Sequence, residues 1–166
     1  MGPIVSSSFL ASGALPVLSE FEFGLILISH AFQRWMVRCM AAAGYPDLSP
    51  IDVLVLHSVQ HRSKPKRLAD ICLVLNIEDT HVVSYSVKKL ERQKLISSHK
   101  QGKEKMIAIT AAGAKACEQY KEIREALLVE PVISLGVDEA TLSRIASQMR
   151  TLSGYYDQGS RSAASL

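Results

Sequence analysis

The side chains with the clearest chemical potential in this sequence are cations, and they are concentrated. Between Arg62 and Lys105 stand eleven Lys or Arg against five Asp or Glu, while the other residues carry eight against eleven. An overall formal charge of +3 therefore conceals a basic stretch inside a slightly acidic remainder. Clustered ammonium and guanidinium groups can neutralise phosphates and release the counterions condensed on a nucleic acid. A solvated, Lys-decorated surface has the same composition, so the placing of the cations decides between the two readings.

On a helix turning about 100° per residue, Val83, Val87 and Leu90 share one face, and His81, Tyr85, Lys88 and Arg92 stand almost opposite. Ser84 and Lys89 lie on the flanks, and no acid falls in the outward group. In that position His81, Ser84 and Tyr85 would meet base edges or phosphates, and Lys88, Lys89 and Arg92 mainly phosphates. Lys100, Lys103 and Lys105 surround Gly102 with only Glu104 against them, and Lys64, Lys66 and Arg67 lead into the preceding helix. These twelve residues are the candidate contacts to a polyanion.

Other chemistry finds less footing. His57 and His61 are four apart and could share a metal, but no acid lies between them in the metalloprotease manner and no third ligand is evident, so no metal site is expected. Cys39, Cys72 and Cys117 are odd in number, widely spaced and without a CxxC pair, which indicates neither a disulfide framework nor a Cys-based zinc site. A reducing cytoplasm is the simplest home. No nucleophile elbow, phosphate-binding Gly loop or carboxylate pair is present, so neither an enzyme nor a cofactor is expected. Residues 1–33 hold no Lys or Arg, so the charged start of a signal peptide is missing, and the apolar run at 25–28 is too short to span a bilayer; no membrane association is expected.

The elements that must position the cations read as follows. Residues 1–18, rich in Ser, Gly and Pro, read as a flexible or loosely docked arm. Ser19 offers an N-cap to a long helix reaching about Ala43. Phe21, Leu25, Ile28, Phe32, Trp35 and Cys39 stripe one side of it, with Phe23, Ile26 and Val37 opposite, so it needs a partner on each face. Ser49-Pro50 with Asp52 opens a second helix with the stripe Ile51, Leu54, Val55 and Val59. A third helix from about Arg67 packs Leu68, Ala69, Cys72 and Leu75, and Asp79 or Glu78 caps the fourth, which ends near Gln93. Residues 96–100 and 105–109 read as a two-stranded hairpin around Gly102. Thr110 caps a helix carrying Ala116, Cys117, Tyr120, Ile123 and Leu127, which Pro131 interrupts. Asp138 caps a last helix with Leu142, Ile145, Met149 and Leu152 on one face, before a Ser-rich frayed tail.

This arrangement resembles the MarR family of regulators over about residues 20–154. The carriers are Leu48-Ser49-Pro50, Leu68-Ala69, Val83 through Leu90-Glu91 into Leu95-Ile96, and Ile109-Thr110-Ala111-Ala112-Gly113. The chain departs from the family in several places. Lys94 replaces the Gly usual before the first wing strand, Gln101 to Lys105 replace the characteristic wing Asp and Arg, and Tyr85 stands where an Arg is common. About four extra residues also separate Leu68 from the recognition helix.

The expected fold is mainly α with a small β-hairpin wing, a winged helix-turn-helix flanked by dimerisation helices. The expected division is an arm at 1–18, an N-terminal dimerisation helix at 19–47, the winged helix-turn-helix at 48–112, C-terminal dimerisation helices at 113–156 and a tail at 157–166. The resemblance implies a homodimer that binds double-stranded DNA and regulates transcription, more in the manner of a repressor. It also implies a small-molecule effector, for which His30 and Trp35 are the candidate pocket residues. Two rivals stay open: a winged-helix module that binds another protein through the same face, and an enzyme of unknown type.

Overall fold

The computed structural model describes residues 2–166, which divide into two compact units, one reaching to Ile123 and one spanning Arg124–Leu166. The first holds helices α1 (Pro16–Ala42), α2 (Pro50–Gln60), α3 (Leu68–Leu75) and α4 (Thr80–Arg92), strands β1 (Ile96–Gln101) and β2 (Glu104–Ile109), and α5, which begins at Ala111 and runs to Arg124 at the boundary. The second holds a π-helical stretch, Glu125–Val129, followed by α6 (Glu130–Ser134) and α7 (Glu139–Ala163). The mainly helical architecture with one antiparallel hairpin is the one expected.

Helix α2 is the hub of the first unit. Val53, Val55, Leu56 and Val59 are fully buried, and Ile51 and Leu54 pack on the same core, so the helix is covered nearly all round by α1, α3, α4 and β2. Its start is the expected capping box, with Asp52 Oδ2 accepting from Ser49 N–H at 2.8 Å and Ser49 Oγ at 2.7 Å. At its far end the Lys66 ammonium donates to Val59 O at 3.1 Å and His61 O at 2.6 Å, satisfying carbonyls the helix leaves open. The Lys66 backbone also exchanges two 2.8 Å hydrogen bonds with Ile107, adding a third, one-residue rung to the hairpin. Arg62 and Ser63 reach it through left-handed conformations, at φ 60° and 48°.

The end of α4 is organised without glycine. Lys94 itself takes φ 60°, so an exposed lysine accepts the left-handed strain that a glycine would avoid. The hairpin then returns in register, Ile96 opposite Ile109 and Gln101 opposite Glu104, with Gly102 at φ 63° in its two-residue turn. Thr110 Oγ1 lies 2.7 Å from Lys94 O and 2.9 Å from Leu95 O and accepts from Gly113 N–H at 3.0 Å, stitching α4, the wing and α5 together. Gly113 must be glycine, since a Cβ there would lie 2.0 Å from Leu95 O.

Several expected details are corrected. Helix α1 starts at Pro16 because proline presets the first helical φ, and Ser19 is buried inside the helix rather than capping it. Its packed residues are Met36, Cys39 and Met40, toward the C-terminal end, whereas Leu25, Ile28 and Phe32 of the expected stripe are exposed. In α3 the core residue beside Cys72 is Ile71, and Ala69 is exposed. Leu127 is exposed, α5 passes into the π-helical stretch before Pro131, and α7 continues to Ala163 where a frayed tail was expected. Among the described residues none of the second unit is buried, and Leu142, Ile145 and Met149 remain uncovered on α7.

Two tests follow from the packing. Replacing Gly113 by Ala drives a methyl against a backbone carbonyl and costs about 3 kcal/mol, visible as a lower midpoint in urea at unchanged m-value. His57 stacks edge-on against Tyr120 at a centroid separation of 4.6 Å, its Nε2 is buried without a hydrogen bond, and burial holds its pKa below the ordinary histidine range. The unfolded chain therefore takes up a proton there before the folded one does. Stability is highest above the unfolded pKa and falls as pH drops from roughly 7 to 5, a slope that calorimetry finds reduced in His57→Gln.

Candidate nucleic-acid interface

Helix α4 is the element on which the cations depend. Asp79 caps it, accepting from His81 N–H at 2.9 Å, and Val83, Ser86, Val87 and Leu90 are buried on its inner side. A 3.6-residue repeat then obliges His81, Tyr85, Lys88 and Arg92 to face outward, and all four are exposed. Tyr85, Lys88, Glu91 and Arg92 line an open groove. Lys100 and Lys103 are exposed at the tip of the hairpin, and Lys64 is exposed in the link before α3. Ser84 is half-buried on one flank of α4.

The remaining candidates are engaged by protein partners, Lys66 and Lys89 half-buried and Arg67 and Lys105 still exposed. Lys89 Nζ donates to Asp52 Oδ2 at 2.6 Å and to Asp47 O at 2.6 Å, tying α4 to the turn and first residues of α2. Burial alone would raise the Asp52 carboxyl, but hydrogen bonds from Lys89 and Ser49 hold it below the usual carboxylate range. Arg67 pairs with Asp70 at 2.8 Å and with Glu104 at 3.2 Å, which pins the wing to the start of α3. Lys105 pairs with Glu91 at 3.2 Å, and Glu91 also accepts from Ser98 Oγ. Lys66 closes the end of α2, and burial lowers its pKa. Thus Lys66, Arg67, Lys89 and Lys105 hold the scaffold. Lys64, Lys88, Arg92, Lys100 and Lys103 carry no ion pair among the described residues.

The acid partners Asp52, Asp70 and Glu91 were missed as scaffold ligands for these cations. The available signal was the spacing of Asp70 three residues after Arg67 and of Asp52 three after Ser49. The long-range halves of the contacts, Asp52 with Lys89 and Arg67 with Glu104, have no local signature. His30 lines an open cavity of ≈ 370 Å³ with Gln33, Arg34, Val37, Arg38 and Pro50. Trp35 is not on it: a separation of five residues turns its side chain toward the core of the first unit. Among the described residues no group of three His, Cys, Asp or Glu is placed to hold a metal, and no helix is long and apolar enough to cross a membrane. Burial raises the Cys117 thiol to about 11, so it stays protonated and unreactive.

A central helix pair, a recognition-type helix and a hairpin define a winged-helix fold. Residues 48–113 match the family model described as a winged helix DNA-binding domain. Among solved structures the chain is similar to MepR of Staphylococcus aureus in its DNA-binding conformation, at 18% identity and TM-score 0.67, covering 82% of this chain and 98% of that one. It is similar at TM-score 0.65 and 14% identity to a MarR-family transcriptional regulator from Rhodococcus sp. RHA1, covering 80% of this chain and 91% of that one. CouR from Rhodococcus jostii RHA1, solved with p-coumaroyl-CoA, gives the same score and identity over 80% of this chain and 90% of that one. No curated protein matches. The match over residues 48–113 and the likeness to these structures give the chain the winged-helix fold seen in MarR-family regulators, the fold its sequence resemblance implied.

The division of the cations has a measurable consequence. Lys88→Ala or Lys103→Ala weakens binding to every duplex and lowers the slope of log affinity against log salt by about one per recognition unit. Lys66→Ala leaves that slope unchanged while lowering the melting temperature. Fluorescence anisotropy titrations across a salt series, beside a thermal melt, separate the two classes.

Proposed function

We propose that the protein is a homodimeric, MarR-type transcription regulator that binds double-stranded DNA. Each subunit lays α4 in a major groove and the β1–β2 wing along the adjacent backbone. The observation that carries this reading is the outward arc of α4: His81, Tyr85, Lys88 and Arg92 exposed together, with Lys100 and Lys103 exposed on the wing. Tyr85 and His81 are the side chains with base-reading capacity, and the lysines and Arg92 supply phosphate contacts. A point mutant of MepR has been solved bound to an oligodeoxyribonucleotide, which supports the assignment by likeness of fold.

The apolar surface supports the dimer. Leu25, Ile26, Leu27, Ile28 and Phe32 are exposed on α1, and Leu142, Ile145 and Met149 on α7, more uncovered apolar side chain than a monomer ordinarily leaves in water. The segments at 19–47 and 113–156 are in this reading the dimerisation elements around the DNA-binding residues 48–112. The dimer sets the spacing of the two recognition helices, so anything that alters it alters affinity. We take the action to be repression in the cytoplasm, released by a small-molecule effector in the groove that includes His30. CouR, similar in fold, has been solved bound to p-coumaroyl-CoA.

Selection of bound duplexes from a random pool tests the proposal. The expected outcome is a two-fold symmetric motif with half-site centres about 10 base pairs apart, bound by two chains in sedimentation equilibrium. Recovery of no enriched sequence, with affinity insensitive to salt, would indicate a protein-binding winged helix instead.

A further inference from the structure

Helix α4 is held by a carboxylate on each flank. On one side Asp52, with its side chain only 2% exposed, takes the Lys89 ammonium at 2.6 Å. Around the helix, Glu91 lies about 200° from Lys89 and engages Ser98 of β1 and Lys105 of β2. The apolar contacts between them, Val83, Val87 and Leu90, are non-directional, whereas charge-assisted hydrogen bonds have defined geometry.

We propose that Asp52 and Glu91 are positioning residues for DNA binding: two acids whose function is to strengthen the grip on a polyanion by fixing the rotation of α4. The inference rests on the DNA-binding reading above. At the roughly 5–6 Å radius of a helix with its side chains, a rotation of about 20° carries a side chain through about 2 Å, enough to break a hydrogen bond to a base edge. Opposed tethers at Lys89 and Glu91 resist rotation in either sense. Because Lys89 and Lys105 cancel their charge, the two carboxylates add little repulsion toward phosphates. The arrangement also explains why Lys89, on the flank of the recognition helix, is turned to Asp52 and Asp47 rather than outward.

The claim predicts a sign opposite to that of simple electrostatics. Asp52→Asn and Glu91→Gln each remove a negative charge near the interface, which by charge alone tightens binding to any DNA. Positioning instead predicts that each variant loses about tenfold in affinity for the duplex recovered by selection, while affinity for a random-sequence duplex of equal length changes less than about twofold. Lys89→Met gives the same loss of discrimination with an unchanged salt slope, and it carries the test if Asp52→Asn does not fold. Measurements are made on the full chain well below each variant's melting temperature, so a merely structural role leaves the affinity ratio unmoved. Variants that bind both duplexes as tightly as the parent or tighter overturn the proposal, as does a Lys89→Met variant whose salt slope falls by about one. A parent chain that binds neither duplex overturns the DNA-binding reading itself, whereas a discriminating parent with tightened variants overturns only the positioning role.

Discussion

Burying one side of α4 against α2 is the contact on which the cationic face depends. Val83, Ser86, Val87 and Leu90 lie inside, next to an α2 that is apolar almost all round. With those positions committed, helical geometry leaves His81, Tyr85, Lys88 and Arg92 no place but the outside. The polar rim of the same contact, Ser49, Asp52 and Lys89, adds direction to a surface that valines alone would leave free to slip.

Electrostatics in this unit works by division of labour. A stretch with six more cations than acids could present a diffuse positive field, yet four of its twelve candidate contacts are engaged by carboxylates or backbone carbonyls. Each of these paired cations ties two elements together: α4 to α2, α3 to the wing, the wing to α4, and the link to the end of α2. The exposed ion pairs among them, such as Arg67 with Asp70, contribute little to global stability because water and salt screen them. Their consequence is geometric, since they set where the wing stands relative to the helices beneath it.

Outside that unit's core the chain behaves differently. The first two-thirds of α1 and much of α7 keep apolar side chains exposed, Leu25 to Ile28 and Phe32 on one and Leu142, Ile145 and Met149 on the other. An exposed apolar helix face is unfinished as a folding unit, because each half-exposed leucine or phenylalanine forgoes part of the roughly 1.5–3 kcal/mol that full burial contributes. That incompleteness is the physical ground for reading both helices as association surfaces.

The sequence by itself determined the order of elements, the caps of α2, α4, α5 and α7, and the cationic arc. Ser49 with Asp52, Asp79, Thr110 and Asp138 act locally, within a turn of their own helix, and a 3.6-residue period needs no distant partner to be read. The start of α1 lies four residues before the one an N-cap at Ser19 gives, because Ser19 and Pro16 both carry start signals and only packing shows Ser19 turned inward. Tertiary structure alone decided which cations are scaffold and which are free, since Asp52 and Lys89, or Arg67 and Glu104, are 37 residues apart and meet only when α2, α3, α4 and the wing close on one another. It likewise decided that His30 and Trp35 part company and that Lys66 seals α2 from the sheet edge. A residue's type and period fix the face of the element on which it lies, but its partner is chosen by whatever the folded chain brings opposite that face.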